Sequence, residues 1–193
     1  VGGMDRVYEI GRIFRNEGMD PKHNPEFTTV ELYQAYADFH TMMDIAEGVY
    51  TTFAKKYLGT YELEWMGEKI DLTPGWPRLP MHEAVKQYCG IDFMTIDSDD
   101  EAVAAAKAIG VELPETAEKT WGNALYECFD QKVEEKLIQP TFITMHPVDV
   151  SPLAKRSPKD PRLTERFELF ICHSEMGNAF SELNDPIDQR ARF

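Results

Sequence analysis

The sequence is poor in cysteine and contains no long hydrophobic run. Its 3 cysteines, Cys89, Cys128 and Cys172, are scattered along 193 residues and odd in number. This pattern excludes a disulfide framework or a zinc site and is typical of reduced thiols in a cytoplasmic protein. No apolar stretch approaches the roughly 20 residues that a membrane-spanning helix needs. The sequence therefore predicts no membrane span and a cytoplasmic location.

Basic residues are also few relative to acidic ones. The sequence has 20 Lys and Arg against 34 Asp and Glu, a net charge of -14. A surface this negative repels phosphate backbones, so contact with a nucleic acid would have to come from a local patch or from protein outside these residues. The composition, 42% hydrophobic and 28% charged, excludes a disordered or low-complexity chain. The length fits one domain, or one domain with an insertion.

Alternating residues near the start of the chain predict two strands, within residues 6 to 39, joined by a polar loop. On the outgoing strand, Glu9 and Arg15 are expected to share a face. On the return strand, Glu31 and Tyr33 are expected to lie on that same face. A face that combines carboxylates with a phenol favours either a covered cavity or a solvated sheet surface, and the segment alone does not separate these two.

The remaining sequence predicts helices between further strands. Apolar residues at helical spacing predict a helix from Thr41 to Leu58 that ends at Gly59, and a hairpin is predicted near Met66. Helical patterns then dominate from about Met81 to Gln139, and strand patterns return at 141–145, 167–172 and 178–183. The predicted fold is α+β: a mainly antiparallel sheet flanked by helices, with a helical insertion at about 81–139 in one domain spanning 1–193.

The loop after the first strand contains several groups suited to a nucleotide. The Arg15 guanidinium matches a pair of phosphate oxygens in geometry and charge. His23 could be a second donor, and Phe27 offers a flat face for stacking a base. The alternative is that Arg15 and Glu17 pair with each other in a solvated loop.

A second group of candidate residues lies near the end of the chain. Glu168 and Glu175 could converge across a turn, and two carboxylates together with phosphate oxygens are a common way to bind Mg²⁺. Asn178, Phe180 and Glu182 alternate along one strand face, which would suit a ligand with a polar head, an apolar stem and a positive tip. The alternative is a surface strand with ordinary acidic residues.

The motifs in these two regions resemble those of a known family. Residues 6–39 contain FRNEG and HNPEFTTVELYQAYADF, which resemble motif 2 of class II aminoacyl-tRNA synthetases and, more narrowly, the lysyl-tRNA synthetases. HPVDVSPLAKR and FELFICHSEMGNAFSELNDPIDQRARF, in the last third, resemble the same family between its motifs 2 and 3. The resemblance covers essentially the whole chain and implies the α+β core of a class II synthetase.

The resemblance implies roles for individual residues. Arg15 would be the catalytic residue, contacting the α-phosphate of ATP, and Glu168 and Glu175 would bind the metal. The residues implied in ATP binding are Arg15, Asn16, Glu17, His23, Asn24, Phe27, Glu175 and Met176. The residues implied in lysine binding are Glu31, Tyr33, Asn178, Phe180 and Glu182.

The activity implied is that of a lysine–tRNA ligase, which uses ATP and Mg²⁺ to form lysyl-adenylate and transfers lysine to tRNA(Lys). The full-length enzyme would be a homodimer. Motifs 1 and 3 would lie outside these residues, so the chain is expected to be a catalytic-domain fragment that is inactive by itself. Two alternatives remain: a paralogue that ligates a lysine-type group to a translation elongation factor, and a non-catalytic regulatory module.

Overall fold

The structure is a computed structural model that describes residues 2–16, 18–19 and 24–192. The chain divides into two compact units, Val1–Ala37 and Asp38–Phe193. Each unit is described by itself below.

The first unit contains an antiparallel ribbon of two strands, β1 (Arg6–Phe14) and β2 (Glu26–Gln34). Alternating polar and apolar residues and the turn-forming residues between them account for the two strands. The predicted pair of strands is therefore confirmed. Tyr36 follows β2 with a φ of 58°, so the strand alternation ends before this residue.

The second unit contains two sheets. The strands β3 (Glu62–Trp65) and β4 (Glu68–Asp71) form the predicted hairpin, whose turn residues Met66 and Gly67 both have positive φ. The other sheet has four strands in the order β5-β6-β7-β8. Its strands are β5 (Arg78–Pro80), β6 (Thr141–Thr144), β7 (Arg166–Ile171) and β8 (Ser174–Phe180).

The four-stranded sheet is mixed, because β5 runs parallel to β6 while the other neighbours are antiparallel. Pro77 and Pro80 make the chain at β5 a rigid connector, which carries no strand pattern in the sequence. The connector joins the sheet because the Phe142 amide donates a hydrogen bond to the Pro77 carbonyl. This bond does not require a backbone N–H group from proline. The last strand also differs from the prediction at 178–183, since β8 begins at Ser174 and ends at Phe180.

The second unit contains helices of different lengths. They are α1 (Phe39–Phe53), α2 (Met81–Cys89), α3 (Asp99–Ala108), α4 (Trp121–Lys132) and α5 (Pro186–Arg192). Polar side chains cap the starts of two of them: Ser98 accepts from the Glu101 amide before α3, and Thr120 accepts from the Asn123 amide before α4. After α1 a π-helical turn continues to Gly59, whose positive φ ends it as predicted.

Apolar side chains pack on both faces of the four-stranded sheet. On one face, Phe167 and Leu169 belong to a buried cluster that also contains Phe39 and Met43 of α1. On the other face, Phe170 packs against Phe129 of α4, with ring centroids 5.5 Å apart. The sheet therefore lies between α1 and the helices of the 81–139 region.

The observed mixture of helices and strands confirms the predicted α+β class. Residues 81–139 are all described and contain α2, α3, α4 and short 3₁₀ turns, without a strand. These helices pack through one buried cluster with residues of β6 and β7. The division of the chain into a domain with a helical insertion stays a prediction.

Candidate active site

The register of the ribbon determines which of its side chains share a face. Val7 pairs with Tyr33, Glu9 with Glu31 and Ile13 with Phe27, and the Arg15 amide donates to the Pro25 carbonyl at 3.0 Å. Directly opposite residues of an antiparallel pair point to the same side. The ribbon therefore places Arg15, Glu31 and Tyr33 on one face, as the strand pattern predicted, and Phe27 lies on the same face.

Two contacts link candidate residues on this face. The Arg15 guanidinium carbon lies 5.3 Å from the centre of the Phe27 ring, which is a cation–π contact. The Tyr33 hydroxyl donates to Glu31 Oε2 at 3.3 Å. Glu9 lies directly across the ribbon from Glu31. Like charges in opposite positions repel each other, so this part of the face favours a positively charged ligand.

Four further candidate residues belong to the segment between β1 and β2. Asn16 and Asn24 are exposed. Glu17 and His23 lie outside the described residues, so their predicted roles in ATP binding stay predictions. The alternative pairing of Arg15 with Glu17 is likewise outside the described residues.

A β-bulge in the second unit determines how the other candidates face. Glu168 pairs with Asn178 across β7 and β8, and Phe170 pairs with Glu175, so Met176 is the extra residue. Without this bulge, Glu175 and Asn178 would point to opposite faces, because they are three residues apart. The bulge brings them together, and the Asn178 amide donates to Glu175 Oε1 at 3.1 Å. Glu168, Glu175, Asn178 and Phe180 thus share one face.

Glu168 differs from the other candidates because it is buried, with 6% of its surface exposed. Arg166 Nη2 donates to its Oε1, and His146 Nε2 lies 3.2 Å from its Oε2. Burial raises the pKa of Glu168, but the His146 and Arg166 groups outweigh burial and hold the pKa below its ordinary value. The carboxylate is therefore ionised at neutral pH and can act as an oxygen ligand.

A family model described as "tRNA synthetases class II (D, K and N)" matches residues 1–193. The chain belongs to this family. It is 55% identical over 193 residues to a protein named "Lysine--tRNA ligase" from Staphylococcus aureus (strain MW2), 55% to one from Staphylococcus haemolyticus (strain JCSC1435), and 56% to one from Staphylococcus saprophyticus subsp. saprophyticus (strain ATCC 15305).

These alignments include the whole chain but only part of each relative. All three cover 100% of the chain and 38% to 39% of the relative. The chain thus spans about two fifths of the length of the lysine–tRNA ligases that it matches.

Two candidate positions of this class II synthetase chain lie at irregular places of β8. Met176 is the bulge residue, is 42% exposed and accepts a hydrogen bond from the Tyr50 hydroxyl through its carbonyl. Glu182 follows the end of β8, where it forms an isolated antiparallel bridge with Ala154. Because its neighbours Ser181 and Leu183 are buried, Glu182 points away from them and is exposed. The alternation that grouped Glu182 with Phe180 thus continues past the strand.

The opposite face of β8 carries small side chains and packs against α1 near the end of the strand. Ala179 packs beside α1, and the Phe39 amide donates to the Ser181 hydroxyl at 3.1 Å. Small residues here allow α1 to approach the strand closely.

The sequence reasoning assigned no role to Arg166 and His146, the two neighbours of Glu168. Arg166 could have been found, since side chains two residues apart on a strand share a face. His146 is distant in sequence, and only the pairing of β6 with β7 brings it near Glu168. Among the described residues, no three His, Cys, Asp or Glu side chains form a group that could hold a metal ion. None of the described helices is long and apolar enough to cross a membrane.

Proposed function

We propose that the protein acts as a lysine–tRNA ligase, which activates lysine with ATP and transfers it to tRNA(Lys). The observation that carries this proposal is the 55% identity to proteins named "Lysine--tRNA ligase" along the entire chain, including both groups of candidate residues. No observation favours the elongation-factor paralogue or the non-catalytic module.

The ribbon supplies groups for the nucleotide. Arg15 binds the α-phosphate of ATP through its guanidinium, and Phe27 stacks on the adenine. The loop residues Asn16, Glu17, His23 and Asn24 complete the nucleotide contacts of the ribbon, and β8 contributes Glu175 and Met176. The exposure of Arg15 and its place on the face of Phe27 support these roles.

Two groups of residues are assigned to lysine binding. In the ribbon, Glu31 and Tyr33 bind lysine, which their hydrogen bond and the neighbouring charge of Glu9 support. In the second unit, Asn178 binds the polar head, Phe180 packs on the methylenes, and Glu182 accepts the side-chain ammonium. Leaving a buried carboxylate unpaired costs about 3–5 kcal/mol. A substrate that covers Glu182 but lacks the ammonium is thus rejected.

Glu168 and Glu175 fit a magnesium ion in donor type and charge. Both supply carboxylate oxygens on one face of the β7–β8 strand pair, and the lowered pKa keeps Glu168 ionised. Mg²⁺ is commonly bound by one or two carboxylates together with substrate phosphates and water. When bound, the ion would neutralise phosphate charge.

The proposed reaction has two steps. The lysine carboxylate attacks the α-phosphorus of ATP, which forms lysyl-adenylate and releases pyrophosphate, and the lysyl group then passes to the terminal ribose of tRNA. Neither step requires a protein base. The chain contributes mainly by orienting lysine and by stabilising phosphate charge through Arg15.

The proposal extends to the protein's architecture and location. We propose that the strands belong to the mainly antiparallel core of a class II synthetase, that the full-length protein is a homodimer, and that it acts in the cytoplasm, where tRNA is charged. The mixed sheet and antiparallel ribbon are consistent with such a core.

Lysine-dependent exchange between ATP and pyrophosphate tests the activity directly. In the full-length protein, Arg15→Ala should lower kcat by at least about a hundredfold with little change in lysine affinity, because oriented charge on the reacting phosphate is worth about 2.7–4 kcal/mol in the transition state. Arg12→Ala is the matched control. Arg12 is an exposed arginine of β1, three residues before Arg15 and on the opposite face of the ribbon, where it pairs with Glu26 at 3.2 Å.

The control should retain normal exchange. Absence of lysine-dependent exchange in the full-length protein would refute the proposed activity. Equal losses in Arg15→Ala and Arg12→Ala would refute the special role of Arg15.

A further inference from the structure

The buried Glu168 carboxylate is in contact with two side chains, Arg166 and His146, that have no assigned role. We infer that Arg166 and His146 are positioning residues that fix the orientation of the Glu168 carboxylate for the metal. This inference rests on the proposed function, because Glu168 is a metal ligand only there. Neither residue is expected to touch the metal or the substrates.

The two oxygens of Glu168 have different neighbours. Arg166 Nη2 donates to Oε1, and His146 Nε2 lies 3.2 Å from Oε2. Because Arg166 binds one oxygen and the His146 ring lies against the other, the carboxylate cannot rotate freely about its last bond. Each ionised carboxylate oxygen has two lone pairs, so a second acceptor position remains on each oxygen for a cation.

Both neighbours are themselves held in place. Arg166 Nη1 donates to the Val150 carbonyl at 2.8 Å and to the Ser151 hydroxyl at 3.1 Å. The backbone of His146 is fixed by Thr164, whose amide and hydroxyl both donate to the His146 carbonyl at 2.8 Å. His146 is fully buried. The orientation of Glu168 is therefore linked through Arg166 to the turn at 148–151, and through His146 to the hydrogen bonds between Thr164 and the His146 carbonyl.

Arg166 could affect a metal in two opposite ways. Its positive charge neutralises Glu168, so the loss of this charge would strengthen cation binding. Its hydrogen bond also orients Glu168, so the loss of this bond would weaken cation binding. Changing a residue that orients a metal ligand typically weakens metal affinity by about 10–100-fold. Arg166→Lys separates the two effects, since it retains the charge but removes the planar fork that joins Glu168 to the turn.

The test measures binding of Mn²⁺, as a probe for Mg²⁺, to the full-length protein with ATP and without lysine, by electron paramagnetic resonance of the free ion. Glu168→Gln and Arg166→Lys should each weaken Mn²⁺ binding about tenfold or more. In the Glu168→Gln background, Arg166→Lys should have no further effect, because Arg166 acts through Glu168. Lysine affinity and melting temperature should stay close to those of the unmodified protein for Arg166→Lys.

Arg162→Lys is the matched control. Arg162 forms a similar two-bond pair with Asp160 in the same unit, without contacting Glu168. Its substitution should leave Mn²⁺ affinity unchanged. His146→Phe tests the second neighbour, and His146→Gln, which retains a side-chain donor, should recover part of the loss caused by His146→Phe.

The outcomes separate the inference from the proposed function. Unchanged Mn²⁺ affinity in Glu168→Gln would overturn the metal assignment itself. If Mn²⁺ binding is weakened in Glu168→Gln but unchanged or tighter in Arg166→Lys, the positioning role alone is overturned. Equal losses of Mn²⁺ and lysine binding with a lowered melting temperature in Arg166→Lys would show a merely structural role and would also overturn it.

Discussion

In the proposed function, Glu182 is the residue that bears most directly on the choice of amino acid. It is exposed, while the residues on either side of it, Ser181 and Leu183, are buried. The backbone there is held by bonds from the Lys155 amide to the Ser181 carbonyl and from the Leu183 amide to the Leu153 carbonyl. A carboxylate on a fixed backbone is well suited to select a ligand by its charge.

We predict that Glu182→Gln raises the KM for lysine about tenfold or more in the full-length protein. Removing one partner of a desolvated charge pair costs about 2–5 kcal/mol, and the isosteric amide should lie toward the lower end, at about 1.4 kcal/mol per tenfold change. The KM for ATP should hardly change. Steady-state exchange kinetics measure both constants.

Glu64→Gln, an exposed carboxylate of β3, is the control and should change neither constant. If Glu182→Gln weakened ATP and lysine equally, the assignment of Glu182 to lysine would be wrong.

At the scale of single residues, the sequence predicted which side chains share a face but not what contacts them. Strand alternation was enough to group Arg15 with Glu31 and Tyr33, because their register has no irregularity. Glu175 joins Asn178 only through the bulge, which a periodic pattern cannot reveal. Likewise, His146 reaches Glu168 through the sheet, and such pairing is not encoded by local spacing.

At the scale of elements, α4 shows how closely a helix can approach a loop. A Cβ at Gly122 would lie 1.9 Å from Asp149 Oδ2 and 2.8 Å from Pro147 Cβ. Glycine is therefore required in α4 by close packing, despite its low helix propensity.

We predict that Gly122→Ala destabilises the protein by about 1–3 kcal/mol, because the added methyl group forces the loop and the helix apart. Gly48→Ala is the matched control, since a Cβ at this α1 position meets nothing within 4 Å. It should stabilise the protein by about 0.5–1 kcal/mol through higher helix propensity. Urea unfolding measures both changes, and similar effects of the two substitutions would contradict the packing argument.

Ion pairs and hydrogen bonds of charged side chains hold the short helix α5 against the segment at 151–156. Asp188 accepts from Arg192 Nη2 at 2.6 Å and from Arg156 Nε at 3.1 Å. Arg192 Nη1 also donates to the carbonyls of Ser151 and Ala154. The Arg192 hydrogen bond is the largest cause that holds the pKa of Asp188 well below its ordinary value of 3.8, and Arg156 adds to it.

A lowered pKa in the folded state stabilises the protein at pH values above the ordinary pKa, and this contribution is lost as the pH falls through the folded pKa. We therefore predict that Asp188→Asn lowers the melting temperature by a constant amount above about pH 5. The difference from the unmodified protein should shrink as the pH falls below 3.8. Thermal unfolding followed at several pH values checks this, and a difference independent of pH down to the acid limit would contradict it.

The sequence predicted most elements because their signals are local. The capping residues Ser98 and Thr120 mark the starts of α3 and α4, and the glycines Gly59 and Gly110 follow helix ends with positive φ. The strand character of Arg78–Pro80 was missed because a short parallel strand with a proline carries no alternation signal, and it forms only by pairing with β6. Partners distant in sequence thus account for the missed strand β5 and for the omission of His146 from the site.

At the scale of the whole chain, the excess of acidic residues opposes the tRNA binding that the proposed function requires. Its net charge of -14 opposes the phosphate backbone, whereas binding to nucleic acids gains most of its affinity from Lys and Arg that release counterions. The relatives contain considerably more protein than this chain matches, since it spans 39% of the Staphylococcus aureus ligase. Affinity for tRNA in the proposed function therefore has to come largely from outside these residues.

We predict that residues 1–193 alone bind tRNA(Lys) no more tightly than a Kd of about 10⁻⁴ M, the weak end of non-specific binding at physiological salt. The full-length protein should bind much more tightly in the same buffer. Because few phosphate charges would be neutralised by the acidic segment, the logarithm of its affinity should change little with the logarithm of salt concentration. Fluorescence anisotropy of labelled tRNA measures both quantities. Submicromolar binding by the segment with a steep salt dependence would instead reveal a basic patch strong enough to overcome the net charge.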